Sequence, residues 1–304
     1  MKRIFFITML LCITAVTMSA QLLYKISGKD LSAPSYIVGT YHVAPSSFVD
    51  SIPGIRQAMA DCQQTYGELI MTQALSADSA ALFQQAMMLP DSLTIDKVLS
   101  ADQMNRLNAY LRKVIGVDMT NPFILQQMGR MTPSSLSTTL ALLSYIKKEG
   151  KFNPEDAIDS YFQKEALAQG KVIGGLETIE FQIRMLFKGK SMERQKEELM
   201  CLVDNEMTEE LTYKVTKAYY SQDINAIMEA INMKQNNSCD PTPEEEAQLV
   251  DDRNADWAKK MPAIMRQKPT LFAVGAAHLP GPKGVLTLLR NAGYQVEAVK
   301  ENEK

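Results

Sequence analysis

The chain has 304 residues, 46% of them hydrophobic and 22% charged, with a net charge of −3. That length and balance suit one large globular domain, or one domain carrying an insertion. A mildly acidic chain lacks the basic stripe that nucleic acid requires, so no nucleic-acid partner is expected.

Residues 1–20 read MKRIFFITMLLCITAVTMSA, with Lys2 and Arg3 ahead of an apolar run from Ile4 to Val16 and small Ser19 and Ala20 at its end. This is the pattern of a secretory signal peptide, cleaved after residue 20. The apolar run is shorter than the roughly 20 residues of a membrane span. Cleavage removes two basic residues and no acid, which takes the net charge from −3 to −5. The expected product is exported, periplasmic or extracellular, with no membrane span left. It keeps Cys62, Cys201 and Cys239. Export permits a disulfide, but an odd number at scattered positions dictates no pairing. Cys62, just ahead of an apolar run, reads as a small buried hydrophobe.

LLYKI (22–26) and SYIV (35–38) are short, aromatic and β-branched, and predict strands with turn residues between them. A helix is expected over 53–61, then a buried strand in QTYGELIM (64–71). Apolar residues at helical spacing predict helices over 78–88, 101–115, 133–148 and 154–169. Asn153 opens the last of these and Gly170 stops it. KVIGG (171–175) is a short strand and 176–187 a helix; residues 191–268 are helical and charged, with a loop over 232–243. TLFAVG (270–275), a helix over 281–293 and YQVEAV (294–299) complete the chain. The fold class that follows is α/β: a central mixed sheet built from N- and C-terminal segments, with a large helical insertion over about 76–169 and 191–268. Residues 21–304 are expected to form a single domain.

The chain holds two histidines. Each closes the same short pattern, Tyr36-Ile37-Val38-Gly39-Thr40-Tyr41-His42 and Phe272-Ala273-Val274-Gly275-Ala276-Ala277-His278. Each is a strand ending in Val-Gly, then two residues, then His, with Pro45 or Pro280 soon after. Glycine permits a sharp turn or a close approach at a strand end. Side chains just past the carboxyl ends of strands face the crevice where open α/β sheets bind ligands. A lone histidine reads most simply as a hydrogen-bonded structural residue. A pair used in one motif points to a shared site, as metal ligands or as a general base.

A divalent ion needs more than two imidazoles, and catalytic zinc often takes two His and one carboxylate. Glu68, in Thr65-Tyr66-Gly67-Glu68-Leu69-Ile70-Met71, is either that third ligand or a solvated strand end. Glu177, in Gly174-Gly175-Leu176-Glu177-Thr178, stands near a helix start, where it serves either the helix dipole or the chemistry as general base. Arg253 and Asn254, ahead of Trp257, either orient an anionic substrate group or lie on a solvated helix face. Asp159 reads as a surface or helix-pairing acid. The chain contains no Gly-x-Ser-x-Gly, His-Glu-x-x-His, dinucleotide fingerprint or phosphate loop. The 19 methionines read as core filler.

In Val38-Gly39-Thr40-Tyr41-His42, Gly67-Glu68-Leu69, Gly174-Gly175-Leu176-Glu177-Thr178, Arg253-Asn254 with Trp257, and Val274-Gly275-Ala276-Ala277-His278-Leu279-Pro280-Gly281, the chain resembles the TraB/GumN family, related to the Tiki metalloproteases. The resemblance runs over nearly all of the chain beyond residue 20. It implies a fold similar to the erythromycin-esterase and haem-lipoprotein class, with a site built from both Gly-x-x-His motifs and acids. His42 and His278 match the motif histidines, Glu68 the early acid and Glu177 the middle acid. Tyr41 fills a variable slot and is expected to touch substrate.

The expected function is a metal-dependent hydrolase acting on peptides. His42, Glu68 and His278 would hold Zn²⁺, Mn²⁺ or Co²⁺; Glu177 and the two histidines would act in catalysis; Tyr41, Arg253 and Asn254 would bind a peptide or small-molecule substrate. Two alternatives stand beside it: a metal-free esterase-type hydrolase, and a protein that binds haem, metal or peptide without chemistry.

Overall fold

The computed structural model describes residues 21–150, 152–205 and 207–300. The signal-peptide reading falls on residues outside that set. Six strands form one sheet: β1 (Leu23–Ser27), β2 (Ser35–Thr40), β3 (Gln64–Gly67), β4 (Val172–Gly175), β5 (Thr270–Gly275) and β6 (Gln295–Ala298), in the order β4-β3-β5-β2-β1-β6. The four strands β4, β3, β5 and β2 run parallel. β1 is antiparallel to both β2 and β6, so the sheet is mixed. This is the α/β arrangement expected from the sequence, with β2 and β5, from opposite ends of the chain, as direct neighbours. Their register pairs Gly39 with Val274 and Thr40 with Gly275, which puts the two Gly-x-x-His motifs side by side.

The inner parallel strands β2 and β5 are covered on both faces, as the strands of parallel sheets are. Every residue of β2 is buried, and all of β5 but Gly275. The helix Ile158–Ala168 packs on β3, β4 and β5, and the helix Val285–Asn291 on β6 and on the long helix Asp252–Gln267. Leu22, Leu23, Ile37, Phe162, Trp257 and Phe272, all fully buried, anchor this core. A second apolar core lies among the helices Ala101–Ile115, Pro133–Glu149 and Met192–Asp204, around Leu107, Leu111, Leu136, Leu140 and Leu199. No helix among the described residues is long and apolar enough to cross a membrane.

Four local expectations change. The strand read over 64–71 stops at Gly67, and Met71–Ala74 turns into a helix. The helix read over 154–169 is two pieces: a short turn, Pro154–Asp156, then extended Ala157, then Ile158–Ala168. Ala157 is drawn out of helical geometry because it pairs with Pro45, while the Ile158 N–H donates to Ala44 O at 3.0 Å. The helix expected from 176 begins at Ile179 behind the Thr178 cap and becomes π-helical at Arg184–Lys188. Cys201 and Cys239 form a disulfide across 38 residues of sequence, a pairing the cysteine count could not supply. Cys62 is free and buried, as expected.

Candidate functional site

All four parallel strands end toward one point, and each delivers a polar side chain just past its carboxyl end. β2 leads to His42, β5 to His278, β3 to Glu68 and β4 to Glu177. The backbone keeps the last two together beyond the strands: Leu176 N–H donates to Gly67 O at 3.0 Å and Glu177 N–H to Glu68 O at 2.8 Å. This is the crevice position that open parallel sheets offer to ligands.

The two motif glycines are needed for close approach. A Cβ on Gly39 would stand 2.9 Å from Ala276 Cβ and 3.0 Å from Leu279 Cδ1. A Cβ on Gly275 would stand 3.2 Å from Glu68 Oε1 and 3.4 Å from His278 Cδ2. Each glycine therefore lets one strand end pass close to the other motif or to the site itself.

His278 is buried with a defined orientation. Asn254 donates its Nδ2–H to Lys283 O at 3.0 Å, which turns Oδ1 toward His278 Nδ1 at 2.7 Å. The Nδ1 position therefore carries the proton, and the Nε2 lone pair accepts from Arg253 Nη1 at 3.1 Å. Trp257 lies against the ring, 4.4 Å between centroids. Burial, with Arg253 and His42 nearby, pushes the His278 pKa down to about 4 even though Glu68 opposes the shift, so the ring is neutral.

Arg253 is the hub. Its guanidinium donates to Glu177 Oε1 at 2.6 Å and Oε2 at 3.0 Å, to Glu68 Oε2 at 2.5 Å and to Leu249 O at 3.1 Å. Glu177 also accepts from Trp257 Nε1 at 2.9 Å and Gln182 Nε2 at 3.0 Å. Both of its oxygens are thus taken twice. Glu68 accepts from the Gly275 N–H at 2.9 Å and from Gln182 at 3.2 Å, and its Oε1 lies 4.0 Å from His278 Nε2. Its burial raises the pKa, but His42, His278, Arg253 and the Gly275 N–H outweigh that and hold it down at about 2. Glu68 is therefore neither inside an apolar strand nor at a solvated end. It is a buried, compensated carboxylate.

His42 stands apart in character. Its side chain is 72% exposed, and Nδ1 bonds Asp159 Oδ2 at 3.1 Å. Asp159 Oδ1 accepts from Thr40 Oγ1 at 2.6 Å. The Asp159 carboxylate beside it raises the His42 pKa above the ordinary imidazole value. Asp159 is thus no surface or helix-pairing acid: its side chain is only 16% exposed, and the break at Ala157 aims it at the end of β2. Tyr41 turns its hydroxyl to Thr216 Oγ1 at 3.1 Å and packs on Tyr145 and Tyr219.

The structure therefore brings Glu68, Glu177, Arg253, Asn254, Trp257 and His278 into one bonded cluster, with His42 at its edge. Arg253 and Asn254, expected to face substrate, are 5% and 1% exposed and spend their side chains on protein partners. A solvated helix face is excluded for both. Sequence reasoning misread Asp159 and did not single out Gln182 or Thr40. Only Thr40, inside the Gly-x-x-His motif, carried a signal. Among the described residues no three His, Cys, Asp or Glu side chains are grouped so that they could hold one ion, and Arg253 stands among Glu68, Glu177 and His278.

Residues 22–298 match the TraB/PrgY/gumN family. The chain belongs to that family. Among curated relatives of this TraB/PrgY/gumN chain, "Metalloprotease TIKI2" of Xenopus tropicalis is 25% identical over 87% of the chain and 57% of the relative. "Metalloprotease TIKI2" of Danio rerio is 25% identical over 89% and 59%, and "Metalloprotease TIKI homolog" of Nematostella vectensis 21% over 89% and 66%. The chain thus spans about three-fifths of the length of the TIKI2 proteins it matches. No solved structure shows significant similarity to it.

Proposed function

We propose that this protein is an exported metal-dependent hydrolase that cleaves peptides, with His42, His278 and Glu68 as the residues that would hold a divalent ion such as Zn²⁺, Mn²⁺ or Co²⁺. The observation that carries the reading is the way both imidazoles are anchored. Each has Nδ1 tied to a side-chain oxygen, Asp159 for His42 and Asn254 for His278. That turns Nε2 of each ring away from its outer partner, and such outer partners are how metal-binding imidazoles are held in proteins. In His278 the Nε2 lone pair is held by Arg253 and becomes a ligand only when that bond opens. Two imidazoles and a carboxylate at the ends of neighbouring strands are, in residue type, a donor set of catalytic zinc, and they would close on an ion once Arg253 gives up His278 and Glu68. The relatives' name, metalloprotease, points the same way. When bound, such an ion polarises a carbonyl and activates water.

The remaining residues have roles that follow from their bonds. Arg253 helps keep Glu68 ionised in a buried place, where an uncompensated carboxylate would take up a proton, and it bonds both oxygens of Glu177. Gln182, shared between the same two carboxylates, fixes their separation. Glu177, with four donors on its two oxygens, holds Arg253 and Trp257 in place. It becomes available as a base only when one of those donors lets go. Exposed His42, backed by Asp159, is the side chain placed to exchange a proton with substrate or solvent. The Cys201–Cys239 disulfide supports an oxidising compartment, in keeping with export to periplasm or medium.

The His42–Asp159 pair also favours a second reading, a metal-free hydrolase in which His42 takes a proton from water, working above the raised pKa that Asp159 gives the ring. One experiment separates the two. The purified protein is assayed for metal content and peptide cleavage, before and after chelation, beside His42→Ala. The metal reading expects bound metal, loss of turnover on chelation and recovery with Zn²⁺ or Mn²⁺. Cleavage that survives exhaustive chelation rejects it in favour of the dyad.

A further inference from the structure

A groove of about 560 Å³ runs beside the site, within the size range of small-ligand pockets. Three of its walls continue the chain segments that carry the site. Past Gln182, a π-helical turn supplies Met185 and Leu186. Ahead of Arg253, a second π-helical turn supplies Leu249 and Val250. Beyond His278, residues 280–284 close the end, and Asn254 and Ala277 form the border shared with the cluster. Interruptions of this kind in helices recur at functional sites. Here both lie on the same groove. Across from them, the end of the helix Ile224–Ile231 contributes Met228 and Ile231.

The chemistry of the walls selects an occupant. Leu186, Ile231 and Leu249 are 44%, 40% and 48% exposed, an open apolar surface for a soluble chain to carry. The charged groups of the lining are paired within the protein: Lys190 with Glu198, Lys283 with Asp251, Glu245 with Arg194 and Glu246 with Lys234. Ser137 and Thr138 on the remaining wall return their hydroxyls to the carbonyls of Pro133 and Ser134, so that face too offers carbon. A charged ligand finds no unpaired opposite charge here, whereas a neutral apolar one covers exposed Leu and Ile.

We propose that this groove is the subsite that receives a large uncharged side chain, Leu, Met or Phe, of an extended peptide whose backbone reaches the His278–Glu68–Glu177 cluster. This rests on the peptide-hydrolase reading above and adds to it the class of residue that is recognised.

The test uses the full chain in chelator, where binding is measured without turnover, and capped tripeptides Ac-Ala-Xaa-Ala-NH₂ with Xaa as Leu, Phe, Asp or Lys. The Leu and Phe peptides are expected to bind at least about tenfold more tightly than the Asp and Lys peptides, the order an apolar pocket gives. Leu249→Ser, Leu186→Ser and Ile231→Ser should each erode that preference with circular dichroism and Tm unchanged, since all three side chains are already solvent-exposed. Val172→Ser, equally exposed but at the start of β4 and so at the other end of the sheet, should leave it intact. Equal affinities, a preference for Asp or Lys, or a Leu preference untouched by the three groove variants overturns the subsite. Concentration-dependent dimerisation abolished by those variants also overturns it, by giving the face to a second copy. Cleavage is scored separately with Zn²⁺ added: selective binding without turnover rejects the hydrolase and supports the groove.

Discussion

The backbone N–H of Gly275 donates to Glu68 Oε1 at 2.9 Å, so the glycine of one histidine motif holds the carboxylate that ends the neighbouring strand. The bond requires the β5 end to lie against Glu68 with no side chain between them. It ties the first half of the chain to the last across 207 residues.

From that contact, substitutions at the two motif glycines should separate stability from activity. At Gly39 a Cβ meets backbone and a methyl, neither of which can swing away. Gly39→Ala should therefore cost about 1–3 kcal/mol in urea unfolding, as overpacking does. At Gly275 the neighbour is the Glu68 carboxylate, which can shift, so Gly275→Ala should cost less stability and more turnover. Finding Gly275→Ala the more destabilising, with activity intact, would contradict this assignment.

Arg253 is the sole counter-charge in direct contact with Glu68 and Glu177 among the described residues. Arg253→Met leaves two buried carboxylates uncompensated and should cost about 3–5 kcal/mol. Arg253→Met combined with Glu177→Gln should recover part of that loss, because one of the stranded charges is gone. A double-mutant cycle by urea unfolding reads the coupling. Additive losses would mean that the Arg253–Glu177 contact contributes nothing.

Asn254 orients His278 by accepting from its Nδ1. Asn254→Leu removes that acceptor and should lower Zn²⁺ or Mn²⁺ affinity by about 10–100-fold, the usual effect of losing an outer partner. Asn254→Asp keeps an acceptor at the same place and should retain most of the affinity. The measurement is metal binding on folded protein, with unfolding followed in parallel. If Asn254→Leu binds the ion as tightly as wild type, the positioning role is wrong.

The disulfide closes a loop that Arg194 also pins, through Ser238 O, Asp240 O and Glu245. Cys201→Ser with Cys239→Ser should lose about 3–4 kcal/mol, the loop-closure value for a loop of this length. Reductant should bring the wild-type Tm down to that of the double variant and leave the double variant unmoved. Cys62→Ala, which keeps the disulfide, should respond to reductant as wild type does.

Much of this molecule was legible in the chain itself. Runs such as TLFAVG and SYIVGT announce buried strands, because parallel strands covered on both faces need continuous apolar side chains. The repeated Gly-x-x-His, the Glu68 and Glu177 segments and the Arg253-Asn254 pair marked the residues that cluster. What the sequence could not decide is where each side chain spends its hydrogen bonds. Arg253 looked like a substrate contact and is an internal counter-charge, because Glu68 and Glu177 reach it from strands 109 residues apart in the chain. Asp159 looked like a surface acid and supports His42, because a bridge between Pro45 and Ala157 breaks its helix at the needed place. The pairing of Cys201 with Cys239 was equally hidden. Local sequence sets backbone propensity and burial pattern through nearest neighbours. Partner choice among buried polar groups depends on contacts across the whole chain, which only the assembled sheet creates.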